Sequence, residues 1–393
     1  MSFDASLNPV IALLGRRLRL AVIGGGPGSF IGAMHRQAAR LDDRYELVAA
    51  ALSSDPDKCI TSGRAIGLPP ESCHASGMAL LAAQAARTGG AEVVAIMTPN
   101  DSHFGLSMEA LRLGFDVICD KPMTNTLAEA EQLQQQVRAT GRVFCLTHNY
   151  TGYPMVRQAR AMVADGQLGE VRLVQVEYVQ GGRARPGPGR RAWKEDPARG
   201  GPSLVLGDIG THAHNLLRFI TGLEVEQVAA DIGSIVPGRV AHDFAGALLR
   251  LTRVARGSFW VTQAAAGIEN GLRIRVSGTQ GSLEWQQEHP QALSFKPLDA
   301  PAQIRTPNGP GTLPLAARAS RIVAGHPEGF HEGFANLYSD AAEAIAARRA
   351  GHGADPLALH FPNAFDGLQG VRFVDSVIRS SANNGAWVQC ATD

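Results

Sequence analysis

The chain is 393 residues long, 45% hydrophobic, with a formal net charge of +1. That length exceeds what one hydrophobic core serves and predicts two or more domains. The balanced charge gives no electrostatic footprint for nucleic acid or for an anionic membrane, and no apolar run is long enough to span a bilayer.

Residues 1–17 read as a loosely attached tail, with Arg16 and Arg17 on the wrong side of its short apolar run for a secretory leader. Leu18 to Ile23 is an apolar strand, followed by a loop containing Gly24, Gly25, Gly26 and Gly28, then a helix from Gly32 to Leu41. Strand, glycine loop and helix N-terminus together make a pyrophosphate site of the dinucleotide kind. The spacing is irregular, because Gly24-x-Gly26 is present but the third glycine of the fingerprint falls on Ser29, with Gly32 taking a later place. Strands are predicted at Glu46 to Ser53, Glu92 to Met97, Phe115 to Cys119 and Arg142 to Thr147, alternating with helices such as Ser102 to Leu113 and Thr126 to Thr140. Such alternation predicts right-handed crossovers and a doubly wound parallel sheet over residues 18–150. Lys121, in the segment VICDKP, stands at a strand exit, where open α/β sheets bind their ligands.

The pattern changes after Tyr153-Pro154. A helix from Met155 to Asp165 leads to strands at Val171 to Val179, Val225 to Ile235, Phe244 to Leu251, Arg256 to Ala264, Leu272 to Ser277 and Gly281 to Gln286. This succession predicts an open, mainly antiparallel sheet in a domain spanning 151–393. Terminal helices are expected over Glu328 to Arg349 and Pro362 to Ser381, free to pack back on the first domain. Between the first strand and the rest lies QGGRARPGPGRRAWKEDPARGGPS, which reads as a solvated loop or as a lid carrying Trp193 and Asp196. Its Arg183, Arg185, Arg190 and Arg191 could together favour an acidic substrate. Pro202 suits the first turn of a helix running from Leu204 to Ile220, on which Asp208 and His212 are four residues apart and share a face. His214 lies on another face and reads as packing or surface.

The motifs VIGGGPGSFIG, VAIMTPNDSHF, VICDKPMTNT and LGDIGTHAHNL, in that order, resemble the glucose-fructose oxidoreductase and inositol dehydrogenase family from about Arg19 to Val388. The chain departs from that family in carrying Asp120 where many relatives have glutamate, and in its longer glycine loop. The resemblance implies an α/β plus α+β protein: an N-terminal Rossmann domain and a C-terminal open sheet with flanking helices, whose sheet face often mediates dimer or tetramer contacts. It also implies NAD or NADP as cofactor, held by Gly24, Gly26, Pro27, Gly28, Ser29, Phe30, Ile31, Ser53, Ser54, Thr98, Pro99, Asn100, His103, Asp120, Lys121, Pro122, His148 and Asn149.

Loss of hydride from a carbinol carbon requires loss of the hydroxyl proton, and a base with pKa near the working pH does this best. His212 fits that role, Asp208 orients it or binds a neighbouring hydroxyl, and Lys121 hydrogen-bonds the reacting oxygen. In relatives the lysine is sometimes assigned the proton transfer, and the order stays open. Tyr153, Trp193, Asp196 and His326 join Lys121, Asp208 and His212 as candidate contacts to a sugar or polyol. Ser53 stands where an acidic residue usually binds the ribose of NAD, with Asp55 and Lys58 nearby, so NAD and NADP both stay open. Cys59, Cys73, Cys119, Cys145 and Cys390 form no close metal-binding pair, so no metal is expected, and buried thiols suit the reducing cytoplasm. Two alternatives share the fold: a non-catalytic nucleotide-binding regulator and a cofactor-recycling glycosidase.

Overall fold

The computed structural model describes residues 8–53, 55–187 and 192–390; Ser54, Arg190 and Arg191 therefore lie outside the described residues. The chain forms two units. The first takes the chain up to Thr124, then Ala128–Asn149 and Phe330–Gly367; the second takes Asn125–Leu127, Tyr150–Gly329 and the chain from Leu368 onward.

In the first unit, β1 (Leu18–Gly24), β2 (Tyr45–Ala51), β3 (Val93–Met97), β4 (Asp116–Cys119) and β5 (Phe144–Leu146) make a wholly parallel sheet in the order β2-β1-β3-β4-β5. β3, β4 and β5 are buried throughout, as strands covered on both faces must be. Among the described residues, Cys73 makes an isolated parallel bridge to Ala50 of β2. The order reverses between β1 and β3, and the crevice for a ligand opens at the carboxyl ends of those strands. Helices Pro56–Ala65 and Gly77–Ala86, which the sequence reading left unassigned, fill the crossover from β2 to β3. Helix Phe330–Arg349 packs along helix Phe30–Leu41, with Phe334, Leu337, Tyr338, Ala341 and Ile345 buried.

Among the described residues, the second unit holds nine strands: β6 (Val171–Val179), β7 (Val225–Gly233), β8 (Phe244–Leu251), β9 (Arg256–Thr262), β10 (Gly271–Gly278), β11 (Gly281–Gln286), β12 (Leu293–Pro297), β13 (Gln303–Arg305) and β14 (Val388–Gln389). Their order is β13-β12-β11-β10-β6-β9-β8-β7-β14, antiparallel except for the central β6/β9 pair. The alternation within β6, β9 and β10 turns Val174, Val176, Tyr178, Phe259, Val261, Leu272, Ile274 and Val276 inward. Helix Thr211–Thr221 packs on that face and stops at Gly222 in the left-handed region (φ +67°). Each such aliphatic side chain contributes about 1.5–3 kcal/mol by leaving water. The opposite face carries Leu173, Leu248 and Trp260, all exposed, among arginines.

Pro202 is not in a helical first turn, as the sequence suggested; it precedes a helix that begins at Leu204. Leu206–Gly210 then winds as a wide π turn before the regular helix from Thr211. Asp208 therefore sits in a π segment, and the simple four-residue spacing to His212 does not describe its position.

Candidate functional site

The glycine loop fits a pyrophosphate because side chains cannot fit there. A Cβ on Gly26 would stand 2.6 Å from the Leu52 carbonyl oxygen, and one on Gly24 would stand 2.7 Å from that of Met97. Gly24, Gly25 and Gly28 have φ of +83°, +65° and +84°, a region L side chains rarely adopt. Gly32 resolves the irregular fingerprint: its Cβ would lie 2.0 Å from the Gly25 carbonyl oxygen, so it is the glycine of close loop–helix approach. Ser29 caps helix Phe30–Leu41, its Oγ accepting from the Gly32 amide at 3.2 Å. Phe30 is exposed and meets the Phe330 ring at 5.9 Å, while Ile31 is half-buried. Arg36, which the sequence reading missed, donates to the Gly25 carbonyl at 2.5 Å and braces the loop from below.

At the end of β2, Ser53 is half-buried, and its Oγ accepts from the Asp55 amide at 3.1 Å. Asp55 caps helix Pro56–Ala65 by accepting from the Lys58 amide, so its carboxylate already has a local role.

After β3, Thr98 accepts at Oγ1 from the Ser102 hydroxyl at 2.6 Å, and Pro99 and Asn100 are half-buried. His103 was expected against the cofactor, but its ring is enclosed and both ring nitrogens face backbone carbonyls: Nδ1 that of Pro122 at 2.8 Å, Nε2 that of Thr98 at 3.0 Å. Burial opposes charge on this ring, yet Cys119, Asp120 and the Pro122 carbonyl outweigh it and raise the pKa to about 9. Asp120 is held well below the usual carboxylate range: burial pushes it up, but His35, Lys121 and His103 draw it down further. Its Oδ1 accepts from Thr147 Oγ1 at 2.9 Å and lies 4.0 Å from His35 Nε2. Lys121 follows directly and is half-buried at the exit of β4. His148 and Asn149 are buried after β5, and the Asn149 amide nitrogen has no hydrogen-bond partner among the described residues.

The second unit gathers a polar cluster on the inner side of its sheet. Asp208 accepts from Lys194 Nζ at Oδ1 (2.5 Å) and from Gln263 Nε2 at Oδ2 (2.9 Å). Gln263 also donates to Gln180 Oε1 at 3.3 Å, and Gln180 donates to Asn270 Oδ1 at 2.6 Å. Asn270 Oδ1 accepts from the Tyr178 hydroxyl at 2.8 Å, and the Tyr178 and Tyr150 hydroxyls are 2.5 Å apart. Burial raises both phenols, which stay neutral donors. His212 is buried with its ring edge-on to Tyr150, centroids 5.0 Å apart, and 6.3 Å from Tyr178. The Gln263 Oε1 atom has no partner among the described residues, an acceptor at the centre of a donor-rich cluster.

Lys194, Gln180, Gln263, Asn270, Tyr150 and Tyr178 were all missed by sequence reasoning. Gln180 and Gln263 directly follow Val179 and Thr262, which are paired in the one parallel ladder of this sheet. They stand side by side only once that register is known. Of the expected substrate contacts, Tyr153 is buried between the Tyr150 and Trp285 rings and acts as core. Asp196 caps the short helix Pro197–Gly200. Trp193 is half-buried under Lys194 Nζ, 5.9 Å from its ring centroid. His326 is exposed, its Nδ1 3.3 Å from the Val323 carbonyl of its own loop, and no contact among the described residues ties it to the cluster. His214 is packing, stacked on Phe373 at 4.4 Å. The arginine-rich segment is fastened at its start: Arg183 pairs with Glu195, and Arg239 donates to the Arg183 and Arg185 carbonyls while pairing with buried Asp243.

By strand order and glycine loop, the first unit is a dinucleotide-binding domain, joined in one chain to an open-sheet unit bearing a partly buried cluster of polar side chains. Residues 18–148 match the oxidoreductase family with an NAD-binding Rossmann fold, and residues 156–284 match the GFO/IDH/MocA C-terminal domain. The chain belongs to this GFO/IDH/MocA oxidoreductase family. It is similar to an oxidoreductase from Sinorhizobium meliloti, 48% identical over 95% of this chain and 99% of that one, with a TM-score of 0.87. It is also similar to an inositol dehydrogenase homologue from Azotobacter vinelandii solved with NADH and myo-inositol, 36% identical over 96% and 98% of the two chains, TM-score 0.89. The uncharacterized oxidoreductase YfiI of Bacillus subtilis is 31% identical over 384 residues, 96% of this chain and 98% of that protein.

Proposed function

We propose that the protein is an NAD(P)-dependent dehydrogenase that moves hydride between the nicotinamide and a secondary alcohol of a neutral cyclitol, sugar or anhydrosugar. The carrying observation is the cluster around Asp208, where carboxylate, ammonium, amides and phenols supply alternating donors and acceptors of the kind a polyol matches. The myo-inositol bound to the Azotobacter relative agrees with that chemistry. A neutral substrate is favoured over an acidic one because the nearby cations have their own carboxylates: Lys194 has Asp208, Arg183 has Glu195 and Arg239 has Asp243.

The nicotinamide supplies the hydride acceptor. His212 takes the hydroxyl proton, Lys121 hydrogen-bonds the same oxygen as alkoxide character grows, and Asp208 orients the substrate and the imidazole. Asn149, in the turn after β5, offers its unpartnered amide donor to the cofactor. Ser53 carries no charge and Asp55 is engaged in capping, so neither carboxylate repulsion nor a cationic clamp selects one cofactor; NAD and NADP both bind. The exposed Leu173, Leu248 and Trp260 on the outer sheet face make a homodimer or homotetramer through that face the expected assembly. Five free thiols, four of them buried, suit the cytoplasm.

The test is a panel of inositols, sugars and anhydrosugars assayed with NAD and with NADP. Reduction of cofactor by at least one neutral polyol is expected, with His212→Ala lowering turnover by about 10²-fold while NADH still binds. No reduction across the panel would favour a regulator. Release of an aglycone without net NADH would favour a recycling glycosidase.

A further inference from the structure

The His103 ring is held between two backbone carbonyl acceptors, one at each ring nitrogen, with the Cys119 thiol also beside it. Carbonyl oxygens have no proton to give, so each ring nitrogen must be the donor, at 2.8 Å to Pro122 and 3.0 Å to Thr98. A neutral imidazole has one N–H; its second nitrogen would press a lone pair against a carbonyl lone pair. We propose that His103 is a positioning residue for Lys121: a doubly protonated imidazolium that ties the turn after β3 to the turn after β4 and so fixes the direction in which Lys121 is presented. This rests on Lys121 contacting the reacting oxygen.

The surroundings support a cation at this point. Asp120 precedes Lys121 and stays ionised, with His35 on its other side, so the turn holds a compact set of charges. The groups facing the ring are the Cys119 thiol, the Asp120 carboxylate and the two carbonyls, and Lys121 acts on the same Asp120 carboxylate. One feature opposes the charge: His103 is the first residue of helix His103–Arg112, whose N-terminal dipole disfavours a cation. Two charge-assisted hydrogen bonds and the carboxylate outweigh it. Because the folded ring has its pKa raised to about 9, its contribution is complete below the ordinary histidine range and is lost as pH rises through about 9.

The ring state is read by nitrogen NMR on 15N-histidine-labelled protein, with the His103 signals identified by their absence in His103→Gln. Protons on both ring nitrogens at pH 7.5 are expected, and an unprotonated nitrogen at that pH overturns the proposal whether or not the variant folds. In parallel, His103→Gln and Lys121→Ala are compared with the parent using the best polyol of the panel, with NADH binding measured separately. Glutamine bridges only one carbonyl, so kcat should fall by about 10²-fold, the scale of a 1 Å misplacement, with NADH affinity nearly unchanged. The parent's alkaline fall in kcat should be absent from the variant. A purely structural role would lower melting temperature and leave the pH profile alone. Unchanged kcat in His103→Gln, or persistence of its alkaline fall, overturns the positioning role while a damaged Lys121→Ala leaves the lysine reading intact. Near-parent turnover in Lys121→Ala overturns the lysine reading and with it the role, even with a doubly protonated ring.

Discussion

Gly32→Ala puts a single methyl group where the glycine loop meets its helix. The new Cβ would stand 2.0 Å from the Gly25 carbonyl oxygen and 2.5 Å from Gly25 Cα, both backbone, so no flexible side chain can yield. Loop and helix must separate by about 1 Å to reach a tolerable contact, an overpacking cost of about 1–3 kcal/mol. Alanine's better helix propensity offsets about 1 kcal/mol of this. Net stability should therefore drop by at most about 2 kcal/mol, with a fall in melting temperature of no more than about 6 °C. Cofactor binding should suffer more, because amides displaced by an ångström lose a charge-assisted hydrogen bond to phosphate, about 1.5–3 kcal/mol. That corresponds to roughly 10- to 100-fold weaker NADH binding by fluorescence or calorimetry. Gly105→Ala is the control: it lies in helix His103–Arg112 with nothing within 4 Å of its Cβ, and should leave NADH affinity unchanged. Parent-like NADH affinity in folded Gly32→Ala would refute the role given to this glycine.

Ser53→Asp should weaken NADP binding more than NAD binding by placing a carboxylate against the 2′-phosphate; equal effects in titration would place Ser53 away from the ribose. Lys194→Met removes a donor to Asp208 and should raise KM for the polyol by about 10-fold or more, with Lys194→Arg recovering part of it and NADH binding unaffected. Unchanged steady-state kinetics would leave Lys194 a bystander. Trp260→Glu puts charge on the outer sheet face and should reduce the mass measured by light scattering; an unaltered mass would move the interface elsewhere.

The two-sheet architecture was readable because each sheet has its own period. Unbroken apolar runs such as Val93–Met97 mark strands covered on both sides, and the alternation of Val171–Val179 marks one open face. The helices Pro56–Ala65 and Gly77–Ala86 were missed because one is polar and the other nearly uniformly apolar, so neither shows a clear stripe. The glycine loop was legible as a pyrophosphate site, but Gly32's close approach needed the distance to Gly25. Asp208 and His212 were singled out by a four-residue spacing that assumes a regular helix, and the π turn over Leu206–Gly210 departs from that geometry. Lys194, Gln180, Gln263 and Asn270 come from four separate stretches of sequence, and only strand register and tertiary packing bring them to one cluster.

The central claim is direct hydride transfer from a polyol carbon to the cofactor, and isotope tracing tests it most directly. The enzyme is incubated with NAD and the best polyol of the panel carrying deuterium on its ring carbons, and both products are examined by mass spectrometry and proton NMR. The account predicts deuterium at the nicotinamide C4 position in an amount equal to the ketone formed, sharply reduced in His212→Ala. Ketone without label in the nicotinamide, or label that returns to a cleaved sugar with no net reduced cofactor, would contradict it.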